Sequence, residues 1–180
     1  TIDFIWGSFS MDGREEEYQW AGPYLYSRQV VAVRSDSDIR TLQDLAGKVV
    51  AVQSTTKPEE LFLNAEQNGL PRLRRLYSLQ NRDLLYTTLL KGYADALAAH
   101  ESAIRQFMKD YSVEYRILDE PLMTARLGVA FAKERGDDLP QQLTEVFQEM
   151  LADGTVREIV SRYLDDPGHY LDGLEDSTHA

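Results

Sequence analysis

The spacing of apolar residues along the chain switches between two periods. Residues 30–33 and 49–52 are β-branched runs bounded by Gly, Ser and Asp, which predicts strands. Residues 2–6, 73–79, 95–99, 115–118 and 127–132 complete the predicted strands. Helical spacing intervenes. Thr56-Lys57-Pro58-Glu59 is a start signal: Thr56 caps, Pro58 fits the first turn and Glu59 closes a capping box. The predicted helix runs to residue 68, where Gly69-Leu70-Pro71 stops it. Further helices are predicted over 81–92, 102–109, 140–152 and 155–164, that over 140–152 amphipathic through Leu143, Val146, Phe147 and Met150. Strands alternating with helices imply βαβ units, an α/β class and a mostly parallel sheet. Residues 173–180 read as a frayed tail.

Composition narrows the function classes. A length of 180 residues suits one ordinary domain or two small lobes, and 43% hydrophobic residues predict a folded core. A net charge of −11 argues against a phosphate-backbone partner, so no nucleic acid is expected. The absence of cysteine excludes disulfides, zinc–thiolate sites and thiol nucleophiles. No apolar stretch reaches the ~20 residues needed to cross a bilayer. The chain begins abruptly with Thr1-Ile2-Asp3-Phe4 inside a predicted strand, the start expected of a fragment or of a mature form with its front removed.

Three places carry candidate chemistry. Arg14 is followed by Glu15, Glu16 and Glu17. It reads either as a solvated, salt-bridged turn or as a bidentate clamp on a carboxylate, which planar guanidinium suits. Ser54-Thr55-Thr56 follows a strand and opens a helix, and reads either as ordinary capping or as an anion-binding turn. His100-Glu101 follows the strand 95–99, and ligands of open α/β sheets sit at the carboxyl ends of strands. The bland reading has His100 capping the next helix and Glu101 in solvent. Phe9, between Ser8 and Ser10, is a further site candidate, whereas Trp6, Trp20 and Tyr24 serve equally as core. Arg28 and Arg126 read as surface charges. G-x-S-x-G, H-E-x-x-H, Walker and G-x-G-x-x-G signatures are missing, and the three His are scattered. No enzyme, cofactor or metal site is therefore expected.

Several motifs recur in a telling order. They are Ser10-Met11-Asp12-Gly13-Arg14 with Gly22-Pro23-Tyr24 behind it, Asp44-Leu45-Ala46-Gly47-Lys48 leading into residues 49–53, Ser54-Thr55-Thr56, Asp95-Ala96 ahead of His100, and Ala152-Asp153-Gly154-Thr155 with Arg162-Tyr163. Together they resemble the type-2 periplasmic binding proteins, the solute receptors of bacterial ABC transporters, and among them the amino-acid-binding family 3. The resemblance implies a periplasmic binding protein type 2-like α/β fold. Residues 1–25 would be a remnant of lobe 1 and a hinge, 26–122 a complete lobe 2, and 123–180 a return hinge strand with C-terminal lobe 1 helices. It further implies capture of a small carboxylate-bearing solute, an amino acid first of all, in a cleft between lobes. The site would hold Ser8, Phe9, Ser10, Arg14, Ser54, Thr55, Thr56, His100 and Glu101.

Relatives carry Ser-x-Thr-x-x-Arg where this chain is one residue shorter and has Asp12 for Thr. They carry Gly where it has Ser54, and an acidic residue that holds the ligand's ammonium where it has His100. Either Glu101 takes that role or the ligand lacks a simple α-ammonium. The implied partners are the small-molecule ligand and an ABC transporter permease, and the implied location is extracellular, periplasmic or membrane-anchored at the cell surface. Alternative uses of such a module are a ligand-sensing ectodomain of a signalling receptor and a dehydratase-like enzyme. The stripe Leu143, Val146, Phe147 and Met150 is expected to lack its covering sheet, which would favour a dimer or a domain swap.

Overall fold

The computed structural model describes residues 2–7, 9–171 and 173–174. In chain order its elements are β1 Phe4–Ile5, β2 Gln19–Arg34, β3 Val49–Gln53, α1 Lys57–Leu63, β4 Arg75–Leu79, α2 Arg82–Leu90, β5 Ala96–His100, α3 Glu101–Tyr111, β6 Tyr115–Ile117, β7 Met123–Phe131, α4 Leu139–Ala152, α5 Thr155–Ser161 and α6 Gly168–Leu171. They form two compact units, one of Thr1–Ser27 with Thr124–Ala180 and one of Arg28–Met123. We call these unit 1 and unit 2.

Unit 2 follows from a period of two. Val30, Ala32, Val49, Ala51 and Leu97 point to one sheet face and are covered by Leu85, Tyr86 and Leu89 of α2 and Ile104 of α3. Their neighbours Val31, Val33, Val50, Val52, Ala96 and Ala98 point to the other, under Phe62 of α1 and Ile39, Leu42, Leu45 and Leu118. Alternate residues of each strand thus feed two separate cores, so the strands are apolar throughout. β3 is parallel to β4 and to β5, whereas β2 runs antiparallel to β5 and to β6. The sheet is parallel through β3, β4 and β5, as the strand–helix alternation predicts, and carries the antiparallel strand expected beside them, because β2 enters this unit against the direction of the βαβ strands.

In unit 1, β7 lies between β1 and β2. Phe4 pairs with Phe131 and Ile5 with Ala130. Ala21, Val129, Phe131 and Phe147 form the core here, with Tyr24 and Leu143 against it. Leu151, Leu171 and Leu174 form a second cluster with Leu25, Tyr26 and Val156. The α4 stripe is therefore divided: Phe147 is buried by the chain's own residues, while Val146 is 46% exposed. The expectation that all four stripe residues need an outside cover does not hold for Phe147.

Three further elements depart from expectation. The predicted strand 30–33 is the end of the 16-residue β2, whose first half holds Gly22 and Pro23. The predicted helix 56–68 is interrupted at Asn64, after which Ala65–Asn68 forms a tighter 3-10 turn ended by Gly69 at φ 66°. Helix α6 was not expected, yet Tyr170 and Leu171 are buried. The tail beyond Leu174 lies outside the described residues. No helix is long and apolar enough to cross a membrane among the described residues.

Candidate functional site

In unit 1 the Ser10–Arg14 turn is laid along β7. Ser10 bridges Leu127, and the Met11 N–H donates to the Arg126 carbonyl at 2.8 Å. The Arg14 N–H closes the turn on the Met11 carbonyl at 3.0 Å, with Gly13 at φ 79°. Arg126, expected as a surface charge, organises this segment. Its backbone N–H donates to Asp12 Oδ2 at 2.6 Å and its Nε to Asp12 Oδ1 at 2.8 Å. Its Nη2 reaches Asp12 Oδ1 at 2.8 Å and Glu15 Oε1 at 2.9 Å. Asp12 and Glu15, with the guanidinium hydrogen bond to Asp12 foremost, raise the Arg126 pKa above its ordinary value.

The consequence is that Arg14 keeps no carboxylate partner among the described residues, although three Glu follow it in sequence. Its guanidinium lies 4.7 Å from the centroid of the Phe9 ring, a cation–π contact, and Nη1 makes one long bond of 3.4 Å to the Ser10 carbonyl. Phe9 in turn stacks on Trp20 at 5.6 Å and meets Tyr18 edge-on at 5.5 Å. The Trp20 indole N–H donates to the Arg14 carbonyl at 3.1 Å. Trp6 belongs elsewhere, beside Tyr24 and Phe147. Phe9, Ser10 and Arg14 thus come together, and Ser8 lies outside the described residues.

In unit 2 the other candidates close adjacent parallel strands. Val52 of β3 pairs with Ala98 of β5, and two residues further come Ser54 and His100. The segment after β3 leads to α1 on one sheet face and the segment after β5 to α3 on the other. Such a switch in direction is where open α/β sheets leave a crevice.

The turn itself is closed internally. Thr55 Oγ1 donates to the Ser54 carbonyl at 2.6 Å and Thr56 Oγ1 to the Gln53 carbonyl at 2.5 Å. The Thr55 N–H donates to Glu59 Oε2 at 2.6 Å, and the same carboxylate accepts from the Ser78 hydroxyl. These bonds, Ser78 first, lower the Glu59 pKa. The expected capping box at Thr56 is replaced by this longer reach of Glu59 to Thr55, and the Thr56 hydroxyl, turned to Gln53, makes no hydrogen bond to the N–H groups of α1. Conformational demand falls on Thr55, at φ 60°, rather than on Ser54. A β-branched residue rarely adopts that region.

His100 and Glu101 part company. His100 ends β5 and is exposed, with its ring nitrogens 3.0 and 3.1 Å from the Gln29 amide. Desolvation and then the charge of Arg82 lower its pKa. It caps α3 without a side-chain bond. Glu101 turns inward and is 1% exposed. Arg105 reaches its Oε1 at 2.6 Å through Nη2 and 2.8 Å through Nε, and Arg28 Nη1 lies 3.3 Å from Oε2. The reading that leaves Glu101 in solvent is overturned, as is that of Arg28 as a surface charge. The long-range partners Arg126, Arg28 and Glu59 were missed as site-shaping residues. Only Glu59 carried a local signal, its capping-box spacing. A surface groove of about 610 Å³ beside Phe62, Leu70, Arg72 and Arg75 contains none of the predicted residues.

A mixed sheet with helices on both faces and candidate residues at strand ends defines an α/β solute-recognition architecture. A family profile matches residues 1–166, and the chain belongs to the bacterial extracellular solute-binding proteins, family 3. It is 32% identical over 174 residues to the histidine-binding periplasmic protein of Escherichia coli K12, covering 91% of this chain and 65% of that protein. It is 25% identical to a glutamate-binding protein of Corynebacterium glutamicum, covering 91% and 56%. The chain therefore spans less than two thirds of these curated relatives. Among solved structures it is similar to the substrate-binding protein of an amino acid ABC transporter at 26% identity and TM-score 0.66, covering 91% of this chain and 71% of that one. An ancestral amino-acid-binding protein described as a precursor of cyclohexadienyl dehydratase shares the fold at 21% identity and TM-score 0.67, covering 91% and 70%.

Proposed function

We propose that the chain captures a small carboxylate-bearing solute, an amino acid or a close relative, outside the cytoplasm and serves an ABC-type uptake system through its membrane permease. One observation carries the reading. Arg14 is a guanidinium held over an aromatic ring with its neighbouring carboxylate diverted to Arg126. A cation left unneutralised in a −11 chain, and oriented by stacking, is suited to a bidentate anion. The names of the relatives, binders of histidine and of glutamate, support an amino acid as the class and differ on its side chain.

Calorimetric titration of the chain with a panel of amino acids tests this. Arg14→Ala is expected to weaken binding by roughly 2–5 kcal/mol, the cost of truncating one partner of a desolvated charge pair. Arg14→Lys is expected to recover part of it, since lysine keeps charge and loses the fork. Unchanged affinity in Arg14→Ala would remove the residue from the site and the reading with it. The fold shared with a dehydratase precursor gives an enzymatic reading its one support. Incubation with the bound solute, followed by NMR of the recovered compound, separates turnover from capture.

A further inference from the structure

We propose that the outer edge of β4 docks an extended acidic segment of a partner protein, which adds to the sheet of unit 2 as one more strand. The surface stands apart from solute capture, because the groove beside it holds none of the predicted ligand residues.

The backbone supplies the first half of the argument. β4 ends the strand order and pairs with β3 alone among the described residues. The Leu79 carbonyl accepts the Ser54 N–H at 2.9 Å, so Leu79 and the residues in step with it turn to β3. Successive residues of a parallel strand alternate sides, which leaves the N–H and carbonyl groups of Leu76 and Ser78 facing outward, open to another strand. Leu76 also lines the groove of about 610 Å³, together with Leu70 and Leu73. Leu63 lines it too and is 69% exposed, a foothold for an apolar side chain on an incoming strand.

Charge supplies the second half. The groove lining holds three arginines, Arg72, Arg74 and Arg75, against one acid, Glu66, in a chain of net charge −11. Arg72 and Arg74 are exposed, and their side chains make no ion pair or hydrogen bond among the described residues. Arg75 lies over the Tyr77 ring at 5.7 Å. Of the acids on neighbouring elements, Glu59 is held by the Thr55 N–H and the Ser78 hydroxyl, Glu60 by Lys57, and Asp38 lies 3.8 Å from Lys48. Charged side chains at a sheet edge ordinarily deter pairing. Charges of one sign deter selectively: a basic strand is repelled, an apolar one strips water from guanidiniums without replacing it, and an acidic one gains ion pairs along with main-chain bonds.

Fluorescence anisotropy with short labelled peptides tests this. A capped peptide alternating Glu with Val is expected to bind the chain, more weakly as salt is raised, and the same peptide with Lys for Glu is expected not to bind. Methylating the backbone nitrogens of the acidic peptide keeps its charge and side chains and removes its main-chain donors. Its binding should fall roughly tenfold or more, the loss of two or more ordinary hydrogen bonds. Arg72→Gln and Arg74→Gln together should weaken the unmethylated peptide about fivefold, whereas Lys109→Gln, a single charge change near the end of α3, should stay within about twofold. Failure of the acidic peptide to bind, equal binding of its methylated form, or equal effects of the arginine and Lys109 variants overturns the inference. So does sedimentation that finds the chain paired with a second copy and released to monomers by the double variant, which would make the edge a self-association surface.

Discussion

Glu101 offers the sharpest test of how unit 2 is held together. Glu101→Ala would leave Arg28 and Arg105 facing one another without their shared anion. Removing one partner of a buried ion pair costs about 3–5 kcal/mol. The structure sets the value within that range. Arg105 is 34% exposed and can turn to water, so its half of the interaction resembles a surface helix pair worth only about 0.3–0.5 kcal/mol. Arg28 is 15% exposed and stays largely dry, so its desolvation is not recovered. The expected loss is therefore near the low end, about 3 kcal/mol. A chain of this size shifts its Tm by about 2–4 °C per kcal/mol, giving a fall of about 6–12 °C. Glu101→Gln keeps the shape and one acceptor oxygen and should lose roughly half as much. Thermal unfolding followed by far-UV circular dichroism reads both. Arg28→Met should cost more than Arg105→Met, in the order of their burial. A Glu101→Ala variant within about 2 °C of the parent chain would refute the claim that this carboxylate neutralises a buried pair.

Arg126→Met should separate binding from stability: its side chain is 41% exposed, so unfolding should shift by less than about 1 kcal/mol, while calorimetry should show weaker solute binding as the Ser10–Arg14 turn loses its tether. Gly128→Ala should destabilise by about 1–3 kcal/mol in a urea titration, because the added methyl would lie 2.8 Å from Met11 Sδ and 3.0 Å from the immovable Ala21 carbonyl. His100 predicts a pH dependence. Its folded pKa is lowered from 6.5 by desolvation and by Arg82, so below 6.5 the unfolded chain binds the proton more readily. The contribution is complete above 6.5 and erodes as pH falls, and His100→Asn should show a flatter stability profile on the acid side than the parent; identical slopes would refute it.

The parts of this fold legible in sequence are those set by neighbours along the chain. The runs 49–52 and 30–33 announce strands because every residue in them is buried on one face or the other. The stop after residue 68 is legible because Gly69 takes a left-handed φ that few other residues accept. The first half of β2 is legible as a strand following the Ser10–Arg14 turn, although Gly22 and Pro23 signal a turn locally; its pairing with β7 is not. The candidate site divides the same way. The positions of Ser54 and His100 at strand ends, and of Arg14 in a turn, follow from local pattern. Their partners do not, because Asp12 meets Arg126 across 114 residues and Glu101 meets Arg28 across more than seventy. The run of Glu after Arg14 suggests pairing within the turn, and tertiary geometry sends Glu15 to Arg126 instead.

The stack of Phe9, Tyr18 and Trp20 has an optical consequence. The chain has two tryptophans, and they occupy different aromatic neighbourhoods: Trp6 with Tyr24 and Phe147, Trp20 with Phe9 and Tyr18. Only Trp20 is wired to Arg14, through its indole N–H on the Arg14 carbonyl and through the ring beneath the guanidinium. An anion that draws the Arg14 charge off the Phe9 face alters the field at one indole and leaves the other in the same surroundings. The chain thus carries a label-free fluorophore at its proposed recognition point and an internal reference beside Phe147. Emission from a Trp6→Phe variant would report occupancy directly, and Trp20→Phe would supply the blank.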